Sequence, residues 1–324
     1  MTYSERKILN RRITTFVLLL VALLFVLLLA LSVGSERVSI FELTDQQRAI
    51  LFDIRMPRVF LGACVGACLA VAGASLQALL RNPLAEPYLL GVSNGAALGT
   101  MLAFVFLGSS GIARPLMAFA GAGIATFAVY QMARGRAGMN VERLVLSGVI
   151  VTTFLSSIIV LLTSVLDAAR LRGFTFWLLG DLSQATYAGF YMTLAAALIG
   201  TLFLSSQARA LNLMMVGERD ALDFGVEIGR VRLMVFGFSS LLVGTAVAAS
   251  GSVGYVGLIV PHLVRLTVGS DNRLVVPLSA IAGAIFVVMA DTVARTAIAP
   301  RELPVGAITA LIGAPMFIYL LRRN

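Results

Sequence analysis

The sequence predicts an all-α polytopic membrane protein with ten transmembrane helices, and two observations carry this prediction. Hydrophobic residues make up 59% of the 324 residues and charged residues only 13%, whereas soluble proteins contain roughly a half and a quarter. The apolar residues also fall into ten separate runs, each close to the roughly 20 residues that a membrane-crossing helix needs. We therefore expect a single transmembrane domain over residues 1–324 and no soluble catalytic domain.

The first apolar run, Ile13 to Val33, follows the basic residues Arg6, Lys7, Arg11 and Arg12. Its apolar core is longer than that of a secretory signal peptide, and no small-residue cleavage site follows it. We therefore predict a retained membrane helix with the N-terminus of the chain in the cytoplasm.

Nine further apolar runs follow, and each predicts one more membrane helix. They cover residues 59–80, 88–107, 115–133, 144–166, 187–206, 233–250, 253–269, 275–299 and 304–321. The eighth of the ten, 253–269, is short and contains Gly254, Gly257 and Pro261. We expect these residues to interrupt that helix, because proline removes a backbone donor and glycine favours irregular backbone.

The positions of the basic residues support this count and the orientation. With ten helices and a cytoplasmic N-terminus, sixteen of the 25 basic residues lie on the cytoplasmic side, among them Arg136, and nine lie outside, among them Arg37. Cytoplasmic loops of membrane proteins carry such an excess of Lys and Arg. Both termini are therefore predicted to be cytoplasmic.

A faint internal repeat links the second and seventh runs. The segment Val65-Gly-Ala-Cys-Leu-Ala-Val-Ala-Gly-Ala-Ser75 resembles Val243-Gly-Thr-Ala-Val-Ala-Ala-Ser-Gly-Ser252. These two helices would cross the membrane in opposite directions, so we predict an inverted repeat of five plus five helices, as in many transporters. The two halves would be residues 1–186 and 187–324.

Small residues recur at four-residue spacing along one face of the second run. They are Gly62, Gly66, Ala70, Ala74 and Ala78. Small residues at this spacing let helix backbones approach closely in a membrane. We therefore expect this helix to lie in the tightly packed interior of the bundle.

The sequence lacks the residues that ATP hydrolysis or metal binding would need. A Walker A loop requires a lysine after its glycines, and Lys7 is the only lysine of the chain. The single histidine, His262, and the two cysteines, Cys64 and Cys68, make a poor metal site. We expect no catalytic residue, no metal and no cofactor bound by this chain, and a structural role for His262 beside Pro261.

The carboxylate placed best for ion coupling within the membrane is Asp291. Arg295 follows it by one helical turn, and this spacing favours a neutralising pair over a proton relay. We therefore favour a pathway for a large intact solute that another subunit drives. An ion-coupled secondary transporter remains the alternative class.

The longest polar stretch inside the chain, Ser205 to Arg232, predicts a short surface helix. Gly217 would separate two helices, and Glu218 and Asp220 favour the start of the second because a helix N-terminus prefers negative charge. Gly225 would end it. Its apolar side would be Ala221, Leu222 and Phe224. Such a helix either docks into a groove of a partner or rests on lipid.

Segment 167–186 predicts another short helix, this time on the outer surface. It contains Leu171-Arg-Gly-Phe-Thr-Phe-Trp-Leu-Leu-Gly-Asp181. Because tryptophan prefers the membrane interface, we expect Trp177 at the level of the lipid headgroups.

Several motifs, in this order along the chain, resemble the FecCD family of ABC importer permeases. They are Arg55-Met-Pro-Arg58, Arg81-Asn-Pro-Leu-Ala-Glu-Pro87, Leu90-Gly-Val-Ser-Asn-Gly95, Gly254-Tyr-Val-Gly-Leu-Ile-Val-Pro-His262, Ala290-Asp-Thr-Val-Ala-Arg295, Glu302-Leu-Pro-Val-Gly306 and Leu311-Ile-Gly-Ala-Pro315. The resemblance covers nearly the whole chain from residue 55 onward. Members of this family carry ferric siderophores, haem or cobalamin.

The resemblance implies a transport subunit rather than an enzyme. It implies a homodimer in the bacterial cytoplasmic membrane, with two cytoplasmic ATPase subunits that bind ATP and Mg²⁺ and an extracytoplasmic substrate-binding protein. Ferric siderophore is the substrate that we expect from the resemblance, and cobalamin and haem are the alternatives.

The resemblance also implies three functional sites. The coupling helix for the ATPase lies in loop 207–228 and comprises Gly217, Glu218, Arg219, Asp220, Ala221, Leu222, Phe224 and Gly225. The binding protein presents glutamates to Arg55, Arg58 and Arg295, which agrees with the preference of guanidinium groups for carboxylates. The cytoplasmic gate comprises Asn82, Leu84, Val141 and Glu142, and the last two are larger than the small polar residues of the cobalamin members.

Overall fold

The computed structural model describes residues 3–34, 44–107, 113–135 and 138–323, and in them the chain is an all-α bundle with one short β-hairpin. Arg37 and Arg136, which contribute to the orientation argument, lie outside the described residues. The elements follow one another in chain order. They are α1 (Tyr3–Ser32), α2 (Asp45–Ala49), a π-helical turn (Ile50–Arg55), α3 (Met56–Leu80), a 3-10 turn (Pro87–Leu90), α4 (Val92–Phe106), α5 (Ala113–Ala133), β1 (Arg134–Gly135), β2 (Gly138–Met139), α6 (Val141–Thr163), α7 (Ala168–Leu178), α8 (Tyr187–Ser206), α9 (Ala208–Val216), α10 (Glu218–Asp223), α11 (Ile228–Ser250), α12 (Val256–Val268), α13 (Asn272–Thr296) and α14 (Val305–Arg323).

Seven helical segments among the described residues are long and apolar enough to cross a membrane. They are Arg12–Ser32, Asp45–Leu80, Ala113–Ala133, Val141–Thr163, Tyr187–Ser206, Ile228–Ser250 and Asn272–Thr296. Three shorter apolar segments, Val92–Phe106, Val256–Val268 and Val305–Tyr319, coincide with the remaining predicted runs. The chain is therefore a multi-pass membrane protein, because it carries several apolar helices of membrane-crossing length.

The two ends of the bundle are named here after one residue each. The Arg58 end is where α1 and α13 end and α3 begins. The Glu218 end is where α3 ends and α10 lies, about 37 Å from the Arg58 end at 1.5 Å for each of the 25 residues of α3.

Helix α3 is the centre of the bundle, as its small residues predict. It packs against α13, α11, α8 and α12. A Cβ atom on Gly66 would overlap the carbonyl oxygen of Gly283 in α13, and one on Gly73 would overlap the carbonyl oxygen of Gly257 in α12. Glycine is therefore required at both positions, because only backbones without side chains come this close.

Helix α11 makes a related but looser contact with α5. A Cβ atom on Gly244 would lie 3.2 Å from the Cβ atom of Ala122. In the internal repeat Gly244 corresponds to Gly66. The matched glycines of the two similar segments thus both face another long helix.

Helix α12 is short, as predicted, and Gly254 lies in the irregular segment before it, but Gly257 and Pro261 do not interrupt it. It runs without a break from Val256 to Val268 with Pro261 inside it. Proline frees the carbonyl four residues earlier, here that of Gly257. The Nε2 atom of Gln77 in α3 donates hydrogen bonds to the carbonyls of Gly257 and Leu258, at 3.2 Å each. The continuous helix is possible because a side chain of α3 replaces the missing backbone donor.

Helix α7 confirms the predicted short helix but corrects the position of Trp177. This side chain is buried rather than exposed to the lipid headgroups. It stacks on Phe174, with ring centroids 6.3 Å apart, and Phe174 meets Phe104 of α4 edge to face. The interfacial preference of tryptophan is outweighed here because an aromatic cluster buries its whole ring.

Candidate functional site

The three arginines predicted for partner docking lie together at the Arg58 end, and all three are buried. Arg58 is the centre of the group. Its Nε and Nη2 atoms donate to the carboxylate of Asp291 at 2.9–3.1 Å, and its Nη1 atom donates to both carboxylate oxygens of Glu302 at 2.9 Å. One guanidinium therefore joins α3, α13 and the segment before α14, in the forked geometry that arginine prefers with carboxylates.

Arg55 and Arg295 tie the end of α1 to the same group. Arg55 donates from Nη1 to the carbonyls of Leu31 and Ser32 at 3.0 and 3.2 Å, and Arg295 donates from Nη2 to the carbonyl of Ala30. The last carbonyls of a helix lack partners within that helix and carry partial negative charge. The two arginines satisfy several of these groups.

The arginine cluster, defined as Arg55, Arg58, Arg295, Asp291 and Glu302, brings three guanidinium groups and two carboxylates together at the Arg58 end. A cavity of about 260 Å³ opens beside it. The lining residues are Gly34, Ile50, Ile54, Arg55, Arg58, Arg295 and Glu302. The cluster thus combines several arginines with an opening.

Asp291 has a partner that the sequence did not reveal. The predicted pair with Arg295 is present, at 3.6 Å between Nε and Oδ2, but Arg58 is closer, at 2.9 Å. Arg58 and Asp291 are 233 residues apart in the chain, so no helical spacing connects them. From the sequence, Glu302 was identified only as the first residue of a motif, and its ion pair with Arg58 was not predicted.

The predicted gate residues Asn82 and Leu84 lie in one exposed turn at the Glu218 end. The Oδ1 atom of Asn82 accepts a hydrogen bond from the backbone N–H of Leu84 at 2.9 Å. Arg81, just before the turn, has a left-handed backbone with a φ of 49°. The turn is therefore short and braced by its own side chain.

Glu86 and Tyr88 attach the rest of this loop to the segment between α11 and α12. The carboxylate of Glu86 accepts the backbone N–H of Tyr255 at 3.0 Å. The hydroxyl of Tyr88 accepts from the N–H of Val253 at 2.9 Å and donates to its carbonyl at 2.8 Å. Burial raises the pKa of the Glu86 carboxyl above its ordinary value, against the smaller opposing effect of the Tyr255 N–H.

The other predicted gate residues, Val141 and Glu142, form the first turn of α6. Asn140 caps this helix, because its side-chain oxygen accepts from the N–H groups of Glu142 and Arg143 at 2.7 and 3.3 Å. The preceding hairpin pairs Arg134 with Met139. The hairpin was not predicted, since two-residue strands leave no periodic pattern.

Helix α10 has the boundaries that the sequence predicts. Gly217 separates it from α9, and Gly225, with a φ of +78°, follows its end. The apolar residues, however, do not share one face. Ala221 is fully buried against the bundle, whereas Leu222 and Phe224 are 58% and 72% exposed. Val216, just before the helix, is 79% exposed. The three exposed apolar side chains in and just before α10, those of Val216, Leu222 and Phe224, are called here the α10 patch.

Glu218, the first residue of α10, binds two arginines from different helices. Its Oε1 atom accepts from Nη2 of Arg232 in α11 at 2.6 Å and lies 3.3 Å from Nη2 of Arg81. Arg232 also donates from Nη1 to the carbonyl of Met139 at 3.0 Å. Helical spacing gave no signal for this group, because its members come from four separate segments. Arg219 and Asp220 of the predicted coupling helix are exposed.

The histidine and the cysteines form no chemical site in the described part of the chain. Cys64 and Cys68 are free and buried. The Nε2 atom of His262 is buried without a hydrogen-bond partner among the described residues. No group of three or more metal-ligating side chains occurs among the described residues.

Comparison with known proteins places the chain among membrane permeases. The cobalamin import system permease protein BtuC of Halobacterium salinarum is 42% identical over 87% of this chain and 76% of its own length. The hemin transport system permease protein HmuU of Yersinia pestis is 37% identical over 94% and 96%. The iron(3+)-hydroxamate import system permease protein FhuB of Bacillus subtilis is 37% identical over 89% and 75%.

A solved structure has the same fold over nearly the whole chain. It is described as an inward-facing conformation of a metal-chelate type ABC transporter, and it is 32% identical, with a TM-score of 0.87 over 97% of this chain and all of its own. The model of the FecCD transport family matches residues 20–323. The chain is a member of the FecCD transport family of ABC importer permeases.

Proposed function

We propose that this chain is the transmembrane subunit of an ATP-driven importer that moves a metal chelate across the bacterial cytoplasmic membrane. The main support for the proposal is the α10 patch. The sequence also has no lysine that could complete a Walker A loop. Exposed apolar side chains on a short helix at one end of a membrane bundle suit a water-soluble partner with an apolar groove. An ATPase subunit is such a partner, and it would supply the energy that this chain cannot obtain from ATP itself.

The Glu218 end is then the cytoplasmic end, and both termini are cytoplasmic. Ten membrane helices arise when the seven long and three shorter apolar segments are counted together. The inverted repeat of residues 1–186 and 187–324 is supported by the matched contacts of Gly66 with Gly283 and of Gly244 with Ala122. Loop 207–228, with α10 inside it, is the coupling segment.

The arginine cluster is then the docking site of an extracytoplasmic binding protein. Its guanidinium groups and the cavity that three of them line suit a carboxylate of the partner. Arg58 is buried and already bound to Asp291 and Glu302. A partner carboxylate would therefore reach Arg58 only by replacing or joining Glu302, whose side chain is 36% exposed. Arg55 and Arg295 would contribute through the same cavity.

The gate loops are defined here as residues 81–91 and 138–142, and they close the cytoplasmic side of the pathway between the two subunits of a homodimer. Asn82 and Leu84 of the first gate loop are exposed, as is Glu142 of the second, whereas Val141 is half-buried. Exposed side chains on braced turns can contact those of a second subunit without disturbing the bundle. ATP binding and hydrolysis by the partner would move these loops through α10.

Ferric siderophore is the substrate expected from the motifs, and cobalamin and haem are tested beside it. Relatives named for cobalamin import share 37–42% identity with this chain, and those named for hemin and hydroxamate import share 37%. Uptake of radiolabelled cobalamin, ferric hydroxamate and haem should be compared in host cells with and without the gene. We expect the deletion to abolish uptake of one chelate, and ATP depletion to abolish it in wild-type cells. Normal uptake of all three chelates in the deletion strain would contradict the proposed function. Uptake that survives ATP depletion but needs Asp291 would favour the ion-coupled carrier.

A further inference from the structure

We propose that Glu218 is a positioning residue that transmits the movement of α10 to both gate loops. The inference rests on the proposed function, in which an ATPase moves α10 and the gate loops close the pathway. It assigns a specific ionic contact to that transmission. The contact is the group of Glu218, Arg81 and Arg232, called here the Glu218 triad.

The triad links three elements through one carboxylate oxygen. The Oε1 atom of Glu218 accepts from Arg232 at 2.6 Å and pairs with Arg81 at 3.3 Å. Glu218 itself stands on the helix that bears the α10 patch. Any displacement of α10 therefore pulls on one arginine at the end of α3 and on another in the first turns of α11.

Arg81 connects Glu218 directly to the first gate loop. It immediately precedes Asn82, whose backbone N–H bonds to the carbonyl of Gln77 at 3.1 Å and whose side chain braces Leu84. Because the turn is held by these short-range bonds, it moves as a unit with Arg81. Asn82 and Leu84 would follow a shift of α10 without an intervening flexible segment.

Arg232 connects Glu218 to the second gate loop. Its side chain is only 14% exposed, and its Nη1 atom donates to the carbonyl of Met139. Met139 is followed by Asn140, which caps α6 at Glu142. The same carboxylate thus reaches both gate loops, each through one guanidinium group.

The backbone of Arg81 gives an independent reason to assign a role to its side chain. With a φ of 49° and a ψ of 34°, this position ends α3 in the left-handed conformation. Glycine adopts this conformation without the steric cost that a residue with a Cβ atom pays, and is therefore the usual residue there. An arginine at such a position is favoured by what its side chain binds, and the side chain of Arg81 pairs with Glu218.

The inference is tested with the variant Glu218→Gln, which keeps the shape of the side chain and removes its charge. The permease is purified with its ATPase and reconstituted into vesicles with the labelled chelate that the uptake experiment identifies. Three quantities are measured: recovery of the ATPase with the permease, the ATPase rate, and the amount of chelate moved per ATP. We expect the chelate moved per ATP to fall at least about fivefold, the lower end of typical couplings between sites. Recovery and ATPase rate should fall by a much smaller factor, because the Glu218 carboxylate binds two arginines of this chain.

Two further variants separate transmission from simple stabilisation. Glu227→Gln removes an acidic residue of the same segment that pairs only with Arg230, at 3.8 Å, among the described residues, and should leave all three quantities unchanged. Arg81→Gly relieves the left-handed backbone while breaking the triad. It should therefore lower the chelate moved per ATP as Glu218→Gln does, without lowering the unfolding temperature of the permease.

The outcomes are distinct. A wild-type amount of chelate moved per ATP in Glu218→Gln or in Arg81→Gly would overturn the inference. A parallel fall of recovery, ATPase rate and transport in Glu218→Gln would overturn it too, because the residue would then only stabilise the fold. Failure of the proposed function would appear differently, as a wild-type complex that moves none of the chelates with ATP.

Discussion

Asp291 is buried at the Arg58 end, where its carboxylate lies between two arginines. Its side chain is 3% exposed, and those of Arg58 and Arg295 are 7% and 5% exposed. Charges removed from water are tolerated only when they are paired and hydrogen-bonded. Four hydrogen bonds or ion contacts join the Asp291 carboxylate to these two arginines. The negative charge of Asp291 therefore has a structural role, whichever partner docks beside it.

We expect Asp291→Asn to destabilise the permease by about 3 kcal/mol, because the change leaves two buried arginines with fewer counter-charges than they need. Thermal unfolding of the purified protein in detergent measures this effect. Glu227→Gln, which breaks an exposed pair, is the control and should change the stability by less than about 0.5 kcal/mol. Equal unfolding temperatures for the two variants would show that Asp291 is not part of a buried ionic group.

Gln77 shows a second way in which one polar side chain determines a larger element. It is buried in α3, accepts a hydrogen bond from Arg265, and donates to the carbonyl of Gly257, which Pro261 leaves without a backbone partner. An unsatisfied carbonyl is costly within a membrane. The unbroken course of α12 through a proline therefore depends on a residue that lies 180 positions before Gly257 in the chain.

Helix α10 is the element whose exposed surface has the strongest functional implication. The bundle buries Ala221 and leaves Leu222 and Phe224 outside. A six-residue helix has little stability of its own, so its position depends on what it packs against. On one side that is the bundle through Ala221 and the Glu218 triad, and on the other it is the proposed ATPase.

Phe224→Ala should weaken binding of the ATPase by about 2 kcal/mol, the cost of truncating a central interface anchor. The unfolding temperature of the permease alone should not change, since Phe224 is 72% exposed. Co-purification and the affinity of the ATPase for the permease in detergent provide the measurement. Phe106→Ala is the matched control, because Phe106 is 74% exposed but lies at the far end of α4. Unchanged ATPase affinity in Phe224→Ala would remove the assignment of α10 as the coupling helix.

Elements with a strong periodic or compositional pattern could be predicted from the sequence, and contacts between distant segments could not. The long apolar runs and the glycines around α10 gave correct helices because length, hydropathy and backbone preference act locally. The predictions for Trp177 and Pro261 were wrong because tertiary contacts outweighed a local preference. An aromatic cluster buries Trp177, and Gln77 bonds the carbonyl that Pro261 leaves free. Helical spacing indicated the pair of Asp291 with Arg295. It gave no indication of the ion pairs of Asp291 with Arg58 or of Glu218 with its two arginines, since these join segments that only the folded bundle brings together.

At the scale of the whole molecule, backbone contact between helices organises the bundle. Helices in lipid gain little from burying apolar side chains against each other, so close packing of small residues supplies much of the association. Helix α3 makes two contacts of this kind: with α13 at Gly66 and Gly283, and with α12 at Gly73 and Gly257. They make α3 the fixed element against which the other helices are placed.

We expect the cost of adding one methyl group to depend on which glycine receives it. Gly66→Ala should destabilise the permease by about 2–3 kcal/mol, since the new Cβ atom would meet the carbonyl of Gly283 and the two helices would have to separate. Gly244→Ala should cost less, because its nearest neighbour is a side-chain atom 3.2 Å away. Gly237→Ala is the control: no atom of the described residues lies within 4 Å of its new Cβ, and the better helix former should stabilise α11 by about 0.5–1 kcal/mol. Thermal unfolding of the three variants in one detergent would rank them, and a Gly66→Ala protein as stable as Gly237→Ala would mean that α3 does not touch α13 through its backbone.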